Sequence, residues 1–156
     1  MTTRHHSFAS PLGHISVTED DGAITTLRWA SSADTTTIAG SKLLQEAEAQ
    51  LTGYFAGART RFDLPLRVMG SEFQRAICDA ITAIPFGETR TYGDIARDLG
   101  VPAQAVGQGC GGNPVPLLIP CHRVLGRNGL GGFSGSGGVE AKVWLLRHEG
   151  AAGLLI

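Results

Sequence analysis

The 156-residue chain is poor in several things at once. It has three cysteines, Cys78, Cys110 and Cys121. That is too few, and an odd number, for the disulfide framework of a small secreted domain. No run of 18 apolar residues occurs, which excludes a membrane-spanning helix. The opening MTTRHHSFAS lacks an apolar core, so it does not read as a secretory signal. A reducing, cytoplasmic setting with free thiols is the expectation. Excess charge is missing too: 13 basic and 14 acidic side chains leave a formal net charge of -1. Simple charge-driven binding to nucleic acid is therefore not supported by composition. Against these shortages, 42% apolar residues can build a core, and glycine is abundant at 22, mostly after Gly100.

Charge and punctuation divide the chain near residues 62–70, where Pro65 and Gly70 bracket a short apolar stretch. Residues 1–65 carry 5 basic and 7 acidic groups (net -2), and residues 66–156 carry 8 and 7 (net +1). Two lobes, 1–65 and 66–156, are expected. In the first, residues 14–18 and 23–29 alternate in polarity around Asp20-Asp21-Gly22, a hairpin signal. A polar loop follows over 31–40. From Lys42 the period becomes helical, with Leu44, Ala47, Leu51, Tyr54 and Phe55 on one stripe and Gly57 as the stop.

In the second lobe Ser71 can cap a helix carrying Phe73, Ile77, Ile81 and Ile84, which Pro85 ends. Thr91 can cap a helix over 92–99, terminated by Gly100. A third, small-residue helix over 103–110 follows a tight turn, and the pair reads as a helix-turn-helix. Gly111 to Pro114 stop it. An apolar run 115–119 and a glycine-rich loop 127–138 precede a last helix over 139–148, with Val143 and Leu146 on one face. The fold class is α+β.

The chemistry concentrates at Ile119-Pro120-Cys121-His122-Arg123-Val124. An imidazole and a guanidinium flank the Cys121 thiol. Both favour thiolate, which is the nucleophilic form. Pro120 fixes the backbone before it. Glu149 is the candidate to orient the imidazole as third member of a relay, and the sulfur is expected to be accessible at the floor of a cavity. A plain core cysteine is the alternative. Structural zinc is disfavoured because no Cys-x-x-Cys occurs, and His5, His6 and His14 read as surface or tag-like residues. Nothing marks an oxyanion hole for acyl transfer. Cys110 reads as a helix-packing residue.

Asn113-Pro114, then Pro120-Cys121-His122-Arg123-Val124, the glycine-rich loop and Lys142…Leu145-Leu146…Glu149-Gly150 together resemble the O6-alkylguanine-DNA alkyltransferases. The likeness covers the whole second lobe, and the first matches more loosely. It implies a small ribonuclease-H-like antiparallel sheet lobe followed by a mostly helical lobe with a helix-turn-helix. It implies direct repair: a flipped O6-alkylguanine gives its alkyl group irreversibly to Cys121, without a cofactor or metal. The partner would be double-stranded DNA bearing the lesion, and the protein a monomer. His122 would act through a water as base, Glu149 would hold its ring, and Asn113 would support the turn. Tyr92 would lie near the flipped nucleotide as proton donor or phosphate rotator. Phe133, Ser134, Val124 and Pro116 would line the substrate pocket. Gln104, Ala105, Arg90, Thr91 and Arg123 would meet DNA, although Arg123 also reads as a structural partner for carbonyls or a carboxylate.

The chain departs from that family at two points. Gln104 stands where members carry an arginine before Ala105-Val106-Gly107, and the preceding turn is short. Glutamine can hydrogen-bond but lacks charge and guanidinium stacking. The helix over 103–110 also has no Lys or Arg, so phosphate affinity would fall to Arg75, Arg90, Arg97, Arg127 and Lys142. Two alternatives follow. One is a cysteine acceptor for a small-molecule or unusual adduct. The other is a non-catalytic lesion binder, against which the intact Cys121 speaks.

Overall fold

The computed structural model describes residues 3–30, 41–131 and 138–153. The chain divides into two compact units, Met1–Val68 and Met69–Ile156.

In the first unit β1 (Thr3–Ser10), β2 (Gly13–Asp20) and β3 (Ala23–Trp29) form an antiparallel meander in that order. Asp21 and Gly22 join β2 to β3 with positive φ at both positions, 46° and 82°. Two left-handed residues give the turn whose twist matches the strands, so the Asp-Gly signal acts as expected. β1 is an addition to the sequence reading. Its text, TRHHSFAS, carries little β-branched signal. Its pairing with β2, Phe8 opposite Ile15 and His6 opposite Val17, supplies the order. The same strand corrects the view of His5 and His6 as tag-like. His5 Nδ1 lies 2.9 Å from Thr18 Oγ1, and His6 Nε2 pairs with Glu48.

Helix α1 (Lys42–Phe55) begins at Ser41, whose Oγ accepts from Leu44 N at 3.1 Å. Leu44, Ala47, Leu51 and Tyr54 are buried with Ile15, Val17, Ile24 and Leu27, while Phe55 is only half-buried. Gln50 is buried on the same face because Asp63 satisfies it: Asp63 N donates to its Oε1 at 2.8 Å, and its amide donates to Asp63 O. Ile24 exchanges backbone bonds with Pro65 O and Arg67 N, so this unit runs on to Val68.

The second unit contains α2 (Glu72–Thr82), β4 (Arg90–Thr91), α3 (Tyr92–Leu99), α4 (Ala103–Gly111), a 3-10 turn (Cys121–Arg123), β5 (Val124–Leu125) and α5 (Gly138–Glu149). Ser71 caps α2, and Ile77, Ile81 and Ile84 are buried, whereas Phe73 stays exposed. Thr91 and Asp94 form a reciprocal capping box on α3, and Gly100 ends it at φ 68°. Two short helices around this turn make the expected helix-turn-helix pair. Gly109 lets α4 lie close to α2, since a Cβ there would sit 2.9 Å from Ile77 Cγ1. The architecture is thus a small antiparallel sheet lobe plus a helical lobe.

On α5 the buried face is Ala141, Lys142, Leu145, Leu146 and Glu149. The sequence reading placed Val143 on that face; it is half-buried instead. The phase differs because two long polar side chains, Lys142 and Glu149, occupy core positions.

Candidate active site

The approach to Cys121 is a loop built by backbone constraints. Asn113 is buried, its Nδ2 donates to Ile119 O at 2.8 Å, and its Oδ1 accepts from Val115 N at 3.0 Å. One side chain thus closes the loop across six residues. Pro120 sits at φ -80°, ψ 66°, with Cys121 N donating to Ile119 O at 2.8 Å. That is an inverse γ-turn, whose central φ the proline ring already favours. Cys121 then opens the 3-10 turn, closed by Arg123 N to Pro120 O at 2.9 Å and by Val124 N to Cys121 O.

The two residues after Cys121 belong to a buried polar cluster. His122 is 0% exposed, and its Nε2 lies 2.8 Å from Glu149 Oε2. Arg123 donates Nε to Glu149 Oε1 at 2.8 Å, one NH2 to Oε2 at 3.0 Å, and NH1 to Ile84 O at 2.7 Å. Gly87 N also points at Oε1, at 3.4 Å. A carboxylate so surrounded is held as the anion by a forked guanidinium. Burial pushes the His122 pKa down, against the upward pull of Glu149. The ring is therefore neutral at neutral pH and carries one proton. Ionised Glu149 can only accept, so that proton is on Nε2. Nδ1 keeps its lone pair, and it is buried with no hydrogen-bond partner among the described residues. A pinned imidazole with a free basic nitrogen next in sequence to a thiol is the arrangement that generates a thiolate.

Cys121 lies deeper than expected, at 4% exposure. The other thiols differ in kind. Burial pushes Cys110 up to about 12 and raises Cys78, so both are apolar packing groups.

Tyr92 starts α3, half-buried. It reaches the site region through a pairing absent from the sequence reading: β4 and β5 run parallel, with Arg90 opposite Val124 and Thr91 opposite Leu125. The following loop returns to it, since a Cβ on Gly131 would lie 2.8 Å from the Tyr92 hydroxyl. Val124 and Pro116 are buried, and the Val124 carbonyl accepts from Lys142 Nζ. Phe133 and Ser134 lie outside the described residues.

Gln104 is exposed and Ala105 half-buried on the first turn of α4. Thr91 is the cap of α3, and Arg90 pairs with Asp98 at 2.8 Å. The DNA contact expected of Arg123 does not stand, because its guanidinium is buried on Glu149 and Ile84; the structural pairing also read for it is what is seen. Lys142 is corrected likewise. It is 0% exposed, with Nζ 2.6 Å from Val124 O, so it cannot serve a phosphate. Its spacing of seven from Glu149, on the Leu145–Leu146 face, was the available signal. Arg75, Arg97 and Arg127 are exposed. Among the described residues no group of three His, Cys, Asp or Glu could hold a metal ion. Among the described residues no helix is long and apolar enough to cross a membrane.

Fold and site together define a protein of a small antiparallel-sheet unit and a helical unit, the second carrying a buried cysteine next in sequence to a buried His–Glu pair. The model of the 6-O-methylguanine DNA methyltransferase ribonuclease-like domain matches residues 3–68, and that of its DNA binding domain matches residues 72–151. A methylated-DNA–protein-cysteine methyltransferase of Methanosarcina acetivorans is 38% identical over 152 residues, covering 92% of this chain and 96% of that one. The Mycobacterium tuberculosis O6-methylguanine methyltransferase crystal structure has a TM-score of 0.84 at 35% identity, over 96% of this chain and 93% of that one. The Mycobacterium tuberculosis protein solved in complex with DNA has a TM-score of 0.80 at 36% identity, over 94% and 92%. The chain belongs to the 6-O-methylguanine DNA methyltransferase family.

Proposed function

We propose that this protein repairs O6-alkylated guanine in double-stranded DNA by a single, irreversible transfer of the alkyl group to Cys121, with the damaged base turned out of the helix. The observation that carries the reading is the His122–Glu149 pair, which leaves Nδ1 with its lone pair on the residue next in sequence to the thiol. In the step, the Cys121 proton moves to His122 Nδ1, directly or through one water. Sγ attacks the sp3 carbon on O6. The S–C bond forms, the C–O6 bond breaks, and its electron pair stays on guanine. Guanine takes up a proton, with the Tyr92 hydroxyl the proposed donor. Acid–base groups do not hydrolyse the thioether, so each molecule acts once. No cofactor enters the step.

The surface of α4 supports DNA as partner. Gly107 and Gly111 have nothing within 4 Å of an added Cβ. A helix-interior glycine costs about 1 kcal/mol relative to alanine. Packing within the chain does not require Gly107, the interior one of the two, whereas close approach to a DNA groove does; Gly111 is the last residue of the helix. Gln104 is proposed to fill the place of the extruded base. That a relative has been solved in complex with DNA supports DNA as the partner. Three free thiols suit a reducing cytoplasm, and one acceptor per chain suits a monomer.

A second reading keeps the thiol and drops the duplex: a scavenger of small alkyl adducts. The outward face of α4, with Gln104 and Gln108 and no Lys or Arg, favours it. The test is intact mass after incubation with O6-methylguanine DNA and, separately, with free O6-alkylguanine. Repair predicts one added methyl on Cys121 from DNA, absent in Cys121→Ser. Modification by the free base alone would transfer the assignment to the scavenger.

A further inference from the structure

Arg123 is 6% exposed, so its charge must be met inside the protein. Nε and Nη2 donate to Glu149, and Nη1 donates to Ile84 O at 2.7 Å. Such bonds lie in the plane of the guanidinium and leave its faces bare. One face has the Phe86 ring over it, with 5.9 Å between the guanidinium carbon and the ring centroid. The ring quadrupole attracts a cation placed there, more strongly where water is excluded. Glu149 is met from the same segment. The Gly87 N–H points at Oε1 at 3.4 Å, the fourth donor after His122 and the two from Arg123. Two carboxylate oxygens offer about four acceptor sites, so this donor completes the set.

Local sequence explains why one turn reaches both partners. Ile84 N closes on Ile81 O at 3.0 Å after the end of α2, and Pro85 stops the helix. Glu88 N then donates to Pro85 O at 3.1 Å, with Gly87 at φ 83°. These are the marks of a type II turn, which favours glycine at its third position. The Gly87 N–H takes no part in the turn's own bond and is left for an outside acceptor. Ile84, Phe86 and Gly87 thus meet the Arg123–Glu149 pair, and none of them belongs to the relay itself.

We propose that Phe86 is a positioning residue for alkyl transfer: its ring holds the Arg123 guanidinium against Glu149, and Glu149 so held fixes the His122 ring. The role rests on His122 being the base for Cys121. It predicts a sensitivity that a merely packing aromatic would lack. Among the described residues the charged groups acting on His122 are Glu149 and Lys142 on α5 and Arg123 on its own turn. Burial lowers its pKa, Glu149 pulls it up, and Arg123 and Lys142 push it down. A loosened guanidinium leaves the carboxylate less balanced, so the His122 pKa rises. Below that pKa less of the imidazole keeps the Nδ1 lone pair.

The test replaces Phe86 in the full chain by leucine, by tyrosine and by pentafluorophenylalanine, which keeps the ring's shape and reverses its quadrupole. Two quantities are read against pH: the His122 ring nitrogen resonances, and the single-turnover rate of methyl transfer from saturating O6-methylguanine DNA. Phe86→Leu and the fluorinated ring are expected to raise the His122 midpoint and the acid limb of the rate by about half a unit, roughly threefold slower transfer at a fixed pH below it. Phe86→Tyr keeps the aromatic face and should overlay wild type. A fluorinated protein with wild-type curves overturns the proposal, because the ring then only fills space. A tyrosine variant that moves as far as leucine overturns it too. Should Phe86→Leu fail to fold, the fluorinated ring of the same shape still decides. The two readings fail separately. Transfer from DNA with an unmoved His122 titration rejects the role of Phe86 alone. A moved titration without transfer rejects repair alone.

Discussion

Glu149 holds three side-chain donors, from His122 and Arg123, with its own side chain fully buried. Replacing it by glutamine leaves the Arg123 guanidinium as an uncompensated buried charge. Breaking such a pair costs about 3–5 kcal/mol. Glu149→Gln is expected to lower unfolding free energy in urea by that order and to slow alkyl transfer, because the amide no longer fixes the imidazole tautomer. A variant as stable as wild type would mean that Arg123 finds another anion. His122 also sets an acid limb. Its folded pKa lies below the unfolded value of about 6.5, so the unfolded chain binds the proton first. Its stability contribution is present above about pH 6.5 and is lost as pH falls through the lower, folded value. His122→Gln should flatten the fall in melting temperature below that pH, and an unchanged acid slope would contradict a neutral buried ring.

Helix α4 carries two kinds of glycine, and they make opposite predictions. Gly107 faces open space, so Gly107→Ala should stabilise the protein by about 1 kcal/mol while weakening binding to lesion-bearing DNA. Gly109 faces Ile77, with its Cβ position 2.9 Å from Cγ1 and 3.0 Å from Cγ2. Gly109→Ala should destabilise by about 1–3 kcal/mol through overpacking, more than the helix propensity it gains. Thermal melts and a DNA-binding titration on both variants separate the roles. Equal effects at the two positions would remove the argument that the outward glycines serve a partner. The element scale also shows why α5 was read out of phase. Apolar periodicity alone favours Val143 with Leu146. The helix instead turns Lys142 and Glu149 inward because the 3-10 turn offers a carbonyl to one, and His122 and Arg123 to the other.

For the molecule as a whole, a net charge of -1 must be reconciled with a polyanionic partner. Lys142 and Arg123 are withdrawn from the surface, which leaves fewer basic groups for phosphates than the sequence alone suggests. DNA affinity should therefore show a shallow salt dependence, with a slope set by few contacts. Gln104→Arg adds one cation at the start of α4 and is expected to tighten binding to lesion-bearing duplex and steepen the slope by about 0.9. Identical slopes and affinities would place residue 104 outside the DNA interface.

Local text was enough for the Asp21-Gly22 hairpin, the caps at Ser71 and Thr91, the stop at Gly100 and the Cys121-His122 motif. Each of these depends on neighbours within a few residues, whose backbone preferences and hydrogen bonds are readable in order. β1, the β4–β5 pairing, the depth of Cys121 and the inward turn of Lys142 and Arg123 were settled only by the tertiary structure. Their partners lie many residues away, and burial, which fixes both the pKa values and the availability of a charge, is a property of those distant contacts.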